Sequence, residues 1–198
     1  MSIAEKLTTI ADNQNKVYEA GKQAEYDAFW DAYQENGQRT NYALAFFNRG
    51  WNDTTFCPKY DIIAVGNANS LFAFSKFTDT KVAINLTGAT NINALFQNCT
   101  VMHTIRKLIV SNTTPFSSNS FDNCSALENI TIEGTIAVSI GFPHSSLLTT
   151  DSVNSIINAL KDLTGATSQT LTFHATVVEK LTDEQKATIT AKNWTLVY

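Results

Sequence analysis

The sequence predicts an α+β chain in which a solenoid of stacked short strands follows a long N-terminal helix and is closed by a C-terminal helix-strand cap. First, Phe96-Gln97-Asn98-Cys99 returns as Phe121-Asp122-Asn123-Cys124, so the Phe-x-Asn-Cys unit recurs at a solenoid spacing. Second, short alternating apolar segments recur with it. Their last inward residues are Ile62, Leu86, Val110, Ile132, Phe173 and Tyr198, near-evenly spaced except for one long gap between Ile132 and Phe173. Third, residues 2–35 contain no proline and one glycine and are rich in Ala, Glu, Lys and Gln, all good helix formers.

The helix is expected to start at Ser2, where Glu5 three positions later completes a capping box. Ile3, Leu7, Ile10, Val17, Ala24 and Ala28, with Gln14 and Gly21 as weaker members, recur at alternating spacings of four and three. They trace a narrow stripe of the kind that meets a partner helix. At 1.5 Å per residue the segment reaches about 50 Å. Either it packs along its own domain or it associates with copies of itself. Tyr26, Phe29, Trp30 and Tyr33 offer docking surface near its end, and Asn36-Gly37 stops it. The expected division is therefore a helical segment over residues 1–36 and a solenoid with its caps over 37–198.

Within the solenoid, each Phe-x-Asn-Cys unit leads into a half-buried strand, Leu108-Ile109-Val110 and Ile130-Thr131-Ile132. The long gap before Phe173 marks an inserted helix from Ser152 to Leu163, with Val153, Ile156, Ile157, Leu160 and Leu163 at helical spacing and Thr149 or Thr150 as its cap. Thr182-Asp183-Glu184-Gln185 opens another helix to about Lys192, and Trp194 to Tyr198 alternates as a closing strand. A single repeat cannot bury its own apolar edge. Stacking repeats about 4.8 Å apart joins those edges into one core, with the segment 42–51 and the last helix and strand expected as covers.

Composition sets limits on function. At 198 residues and 21.8 kDa, with 43% hydrophobic and 16% charged residues, the chain can bury roughly 70% of its unfolded surface. A net charge of -4 lacks the basic field that phosphate neutralisation needs, so nucleic acid is not an expected partner. No apolar run approaches the length that crosses a bilayer, and the N-terminus lacks the apolar core of an export signal. The expectation is a chain cytoplasmic when made, without membrane insertion. Cys57, Cys99 and Cys124 form no C-x-x-C pair, which favours reduced thiols.

The run from Phe121 to Ile132, continuing to Ile140-Gly141-Phe142, resembles the BspA-like (treponemal-type) leucine-rich repeat of bacterial surface proteins. The prolines usual after that repeat's strand are missing. Ser2-Ile3-Ala4-Glu5-Lys6-Leu7, Pro58-Lys59-Tyr60-Asp61-Ile62 and the stretch from Leu181 to Lys186 and on to Asn193-Trp194-Thr195 further resemble leucine-rich repeat proteins encoded among phage or prophage structural genes of gut Firmicutes. The broader resemblance implies recognition at a cell surface without catalysis. The narrower one implies a virion-associated, oligomeric part, of the phage-tail or baseplate kind.

Chemical motifs do not point to an enzyme. His103, His144 and His174 belong to no metal-ligand spacing, and no nucleophile elbow or phosphate-binding glycine loop is present. No cofactor or metal is expected. Cys99 and Cys124 occupy equivalent places in neighbouring repeats as small buried hydrophobes, and oxidising conditions would decide whether they pair. Residues facing away from the core along the strands are Ala83, Asn85, Thr87, Lys107, Ile109, Ser111, Asn129, Thr131, Glu133, Thr170, Thr172 and His174. Together they form an expected polar sheet, either a binding face for a protein or surface glycan or simply the solvated side.

Overall fold

The computed structural model describes residues 61–198 and, before them, residues 6, 9, 12–14, 24, 28 and 39–41. The chain falls into two compact units, Met1–Gly37 and Gln38–Tyr198. In the first, every described residue is helical and exposed, Gln14, Ala24 and Ala28 of the expected stripe among them. Ile3, Leu7, Ile10 and Val17 lie outside the described residues, as do the Ser2 cap and the segment 42–51.

The described residues of the second unit hold two parallel sheets. β1 (Arg39–Asn41), β2 (Ile62–Asn67), β3 (Ala83–Asn91), β4 (Thr104–Val110) and β5 (Asn129–Gly134) pair in chain order as one five-stranded sheet. β6 (Ile140–Phe142), β7 (Gln169–Phe173) and β8 (Trp194–Val197) form a three-stranded sheet. Three helices complete it, α1 (Thr150–Ala159), α2 (Ala175–Lys180) and α3 (Asp183–Ala191). Alternation explains the strands: Ile84 and Leu86 of β3, Leu108 and Val110 of β4, and Ile130 and Ile132 of β5 are buried, while the residues between them face outward.

The register corrects the sequence-derived alignment. Ile132 lies opposite Leu108 and Val110 opposite Gly134, while Ile62 lies opposite Ile84. Leu86 and Val110 do share one level, because Asn85 faces Ile109 one residue earlier. A slip of two residues keeps the same face inward, so burial alone could not reveal it. Gly134 has a positive φ of 109°, and a Cβ there would overlap the Val110 carbonyl oxygen. Only glycine lets the end of β5 approach β4 so closely.

β7 and β8 do not extend the first sheet, contrary to the expectation of one stack, because α1 occupies the edge of β5. The amides of Ile130 and Ile132 donate to the hydroxyls of Ser152 (2.9 Å) and Ser155 (2.8 Å). Ser152 in turn donates to the Glu128 carbonyl at 2.9 Å. Hydroxyls one helical turn apart thus meet alternate amides of the strand and stand in for a neighbouring strand. Thr149 is the N-cap, accepting from Ser152 N, and the helix stops at Ala159, short of the expected Leu163. Lys192 Nζ closes that end, donating to the carbonyls of Ile157 (3.0 Å), Asn158 (3.2 Å) and Leu160 (2.8 Å). Its neighbours hold the following loop: Asn193 Nδ2 donates to the Leu163 and Ala166 carbonyls, and Trp194 Nε1 to that of Lys161. α3 begins at the expected capping box, with Thr182 and Gln185 each bonding the other's backbone amide. The short helix α2 was not foreseen.

The core holds a column of phenylalanine rings, Phe72, Phe96 and Phe121 from the segments between strands of the first sheet and Phe142 and Phe173 from β6 and β7 of the second. Centroids of Phe72 and Phe96 are 5.0 Å apart, Phe96 and Phe121 5.7 Å, Phe121 and Phe142 4.6 Å, and Phe142 and Phe173 6.1 Å, all stacked. All five are fully buried. Such pairs each add about 0.5–1.5 kcal/mol beyond their area burial. Phe121→Ala is therefore expected to cost about 3–5 kcal/mol, read as a lowered urea midpoint, and Phe121→Leu distinctly less. Gly134→Ala should cost at least about 2 kcal/mol from strain and collision together, with no compensating gain from the added methyl.

Candidate recognition face

β3, β4 and β5 bring eight of the expected face residues onto one sheet: Ala83, Asn85 and Thr87, Lys107 and Ile109, and Asn129, Thr131 and Glu133, while Ser111 directly follows β4. Asn85, Ile109 and Glu133 lie opposite one another in a single row, and Ala83 and Lys107 begin the row beside it. Ile63 of β2 joins the first row opposite Asn85 and is 46% exposed. It was missed because Ile62 and Ile63 are both apolar, which hides the alternation at that point.

Much of this polarity is already ordered. Lys107 and Glu133 form an ion pair across β4 and β5. Asn85 Oδ1 accepts from both the amide (3.0 Å) and hydroxyl (2.8 Å) of Thr87. Ser111 Oγ lies 2.9 Å from Thr113 Oγ1 and 3.5 Å from the Thr87 carbonyl. Thr149 Oγ1 donates to Asn129 Oδ1 at 3.3 Å. These side chains have little rotamer freedom left to lose, so a ligand meeting them finds a preorganised surface.

Thr170, Thr172 and His174 are placed elsewhere. The first two lie on β7 in the second sheet, where the Thr170 amide donates to Ser139 Oγ at 3.0 Å. His174 is the N-cap of α2, its Nδ1 accepting from the Thr176 amide. The three therefore do not join the face formed by β3 to β5, because β7 pairs with β6 and β8 in a separate sheet.

A second polar line runs along the turns that follow each buried phenylalanine. Asn98 and Asn123 both adopt positive φ, 60° and 55°, and Asn123 Nδ2 donates to Asn98 Oδ1 at 2.8 Å. Asparagine tolerates this left-handed conformation better than most residues. Gln97 Nε2 donates to Asp122 Oδ2 at 3.3 Å, and Asp122 Oδ1 lies 3.0 Å from His144 Nδ1. His103 Nδ1 approaches Glu128 Oε1 at 3.1 Å. Among the described residues no group of three or more histidines, cysteines and carboxylates could hold a metal ion.

Cys99 and Cys124 are free, buried thiols. Cys99 Sγ donates to the Phe72 carbonyl and Cys124 Sγ to that of Phe96, each at 3.1 Å. Ser145, the matching residue after Phe142, donates instead to the Cys124 carbonyl at 3.0 Å. Burial, the largest cause, pushes the Cys99 thiol well above its ordinary value and the Cys124 thiol up to about 12. Both are expected to stay protonated, satisfied and unreactive.

Compared with protein-family models, curated proteins and solved structures, the chain matches none of the three.

In a Cys57→Ser background, Cys99 and Cys124 should resist a thiol-reactive disulfide at about pH 8 and both react once the chain is unfolded. The same shifts set an alkaline limit. Above the ordinary thiol value of 9.0 the unfolded chain loses these protons while the native fold keeps them, so stability should fall with rising pH. Below that value neither state ionises and no such term acts. The expected slope approaches about 1.4 kcal/mol per pH unit for each thiol, and replacing both cysteines with alanine should flatten it in urea titrations.

Proposed function

We propose that this chain is a BspA-like leucine-rich repeat solenoid serving as a non-enzymatic recognition and assembly module. Its sheet face contacts a protein or surface glycan, as in a phage-tail or baseplate-associated structural part. The first unit supplies homo-oligomerisation through Ile3, Leu7, Ile10, Val17, Ala24 and Ala28. The observation that carries the reading is the ordered outward row of β2 to β5. Aliphatic Ile63 and Ile109 alternate with Asn85 and Glu133 along it, with Thr87 and Lys107 alongside, so apolar and hydrogen-bonding contacts are offered side by side. Parallel pairing at near-equal intervals along the chain, as between Ile62 and Ile84 or Ile105 and Ile130, supports the repeat reading. Exposure of Ala24 and Ala28 is compatible with a partner helix. A bacterial cell-surface adhesion protein is the second reading, favoured by the broader likeness of the run from Phe121 to Ile132.

The full chain, immobilised and screened against a glycan array and purified virion and cell-envelope proteins, should retain a defined ligand. Ile109→Lys combined with Asn85→Ala should weaken that binding at least about tenfold without moving the thermal midpoint. Absence of any retained ligand, or equal retention by the variant, would remove the recognition role. Ile3→Asp with Leu7→Asp and Ile10→Asp should lower the mass measured by light scattering. An unchanged mass would refute association through the first unit.

A further inference from the structure

We infer that the free edge of β8 is a self-association site, pairing antiparallel about a two-fold axis with β8 of a second copy of this chain. The fold treats its strand edges unequally. At β5, the edge amides of Ile130 and Ile132 are taken up by Ser152 and Ser155. At β6, all three residues are buried, out of reach of any partner. Among the described residues β8 has neither protection: it pairs only with β7, and Thr195 is exposed, Val197 40% exposed and Tyr198 80%.

Soluble proteins usually blunt such an edge with lysine, proline or a bulge. Here the run Trp194-Thr195-Leu196-Val197-Tyr198 contains no charged side chain, proline or glycine. The nearest lysine in the sequence, Lys192, has its ammonium engaged with three carbonyls of α1 and its C-cap. An uncharged edge offers nothing to select a charged peptide, yet meets no repulsion from the side chains of its own copy. A two-fold axis through Leu196 sets Thr195 of each copy opposite Val197 of the other and keeps Trp194 and Leu196 on their inward side. The two three-stranded sheets then become one of six strands, and the open backbone groups satisfy each other.

The test uses the full chain carrying Ile3→Asp, Leu7→Asp and Ile10→Asp, so that association assigned to the first unit does not enter the reading. Sedimentation equilibrium should show a dimer. Adding Thr195→Lys with Val197→Lys should weaken it at least about tenfold, as should Thr195→Glu with Val197→Glu, since like charges then face each other across the axis. An equimolar mixture of the lysine and glutamate forms should restore a heterodimer. Both positions are exposed, so circular dichroism and the thermal midpoint should match the parent, and the milder Val197→Thr should still weaken the dimer. A parent that stays monomeric at about 100 µM, a lysine form that dimerises as tightly, or a mixture that stays monomeric would each overturn the inference.

Discussion

The column of stacked phenylalanines is the constraint from which the rest follows. Phe72, Phe96 and Phe121, from the segments between strands of the first sheet, stack in series with Phe142 and Phe173 of the second, so the column joins two separately hydrogen-bonded layers. Aromatic rings stack well only within a narrow range of separations, which fixes the rise from one strand-turn repeat to the next. The buried donors then fall into place. Cys99, Cys124, Thr114 and Ser120 each reach a carbonyl of the preceding repeat, those of Phe72, Phe96, Leu86 and Ile92. A buried hydroxyl or thiol without such a carbonyl would be costly, so these contacts reinforce the same spacing.

A rigid interior has an outward counterpart. Strands held at fixed height present Asn85, Ile109 and Glu133 in one row, and the amide and hydroxyl bonds within that row leave few side chains to order on contact. The polar line along the turns is tied between repeats in the same way, through Asn98 to Asn123 and Gln97 to Asp122.

Much of this was legible in the sequence, and the limits have physical causes. The strands β2 to β5, a cap at Thr149 or Thr150, the capping box at Thr182 and the inward face of β3 to β5 follow from periodicity and local hydrogen bonding, whereas β1 gave no such signal and Tyr198, expected inward, lies exposed beyond the end of β8. Register does not, because Ile132 opposite Leu108 and Ile132 opposite Val110 bury the same residues. The repeat itself was only half visible through Phe-x-Asn-Cys. A fuller signal was present in Asn67-Ala68-Asn69-Ser70-Leu71-Phe72 and Asn91-Ile92-Asn93-Ala94-Leu95-Phe96, where the first asparagine of each accepts from the amide two residues on. Another lay in the small donor three residues after each stacked phenylalanine: Ser75, Cys99, Cys124, Ser145 and Thr176. Separation of Thr170, Thr172 and His174 from the main face was hidden, since it depends on serines of α1 meeting a strand far back in the chain. The Lys192 contact with the end of α1 is likewise remote in sequence and leaves no local trace.

Because Ser152 and Ser155 finish the first sheet on their own, its termination is independent of how many strands precede β5. One whole repeat copied in ahead of that strand would bring its own ring, donor and outward residues and demand no new ending. Each copy would lengthen the array by about 4.8 Å. Duplication and deletion of such cassettes thus offer a route by which reach can be altered in even steps while the terminal architecture is inherited whole.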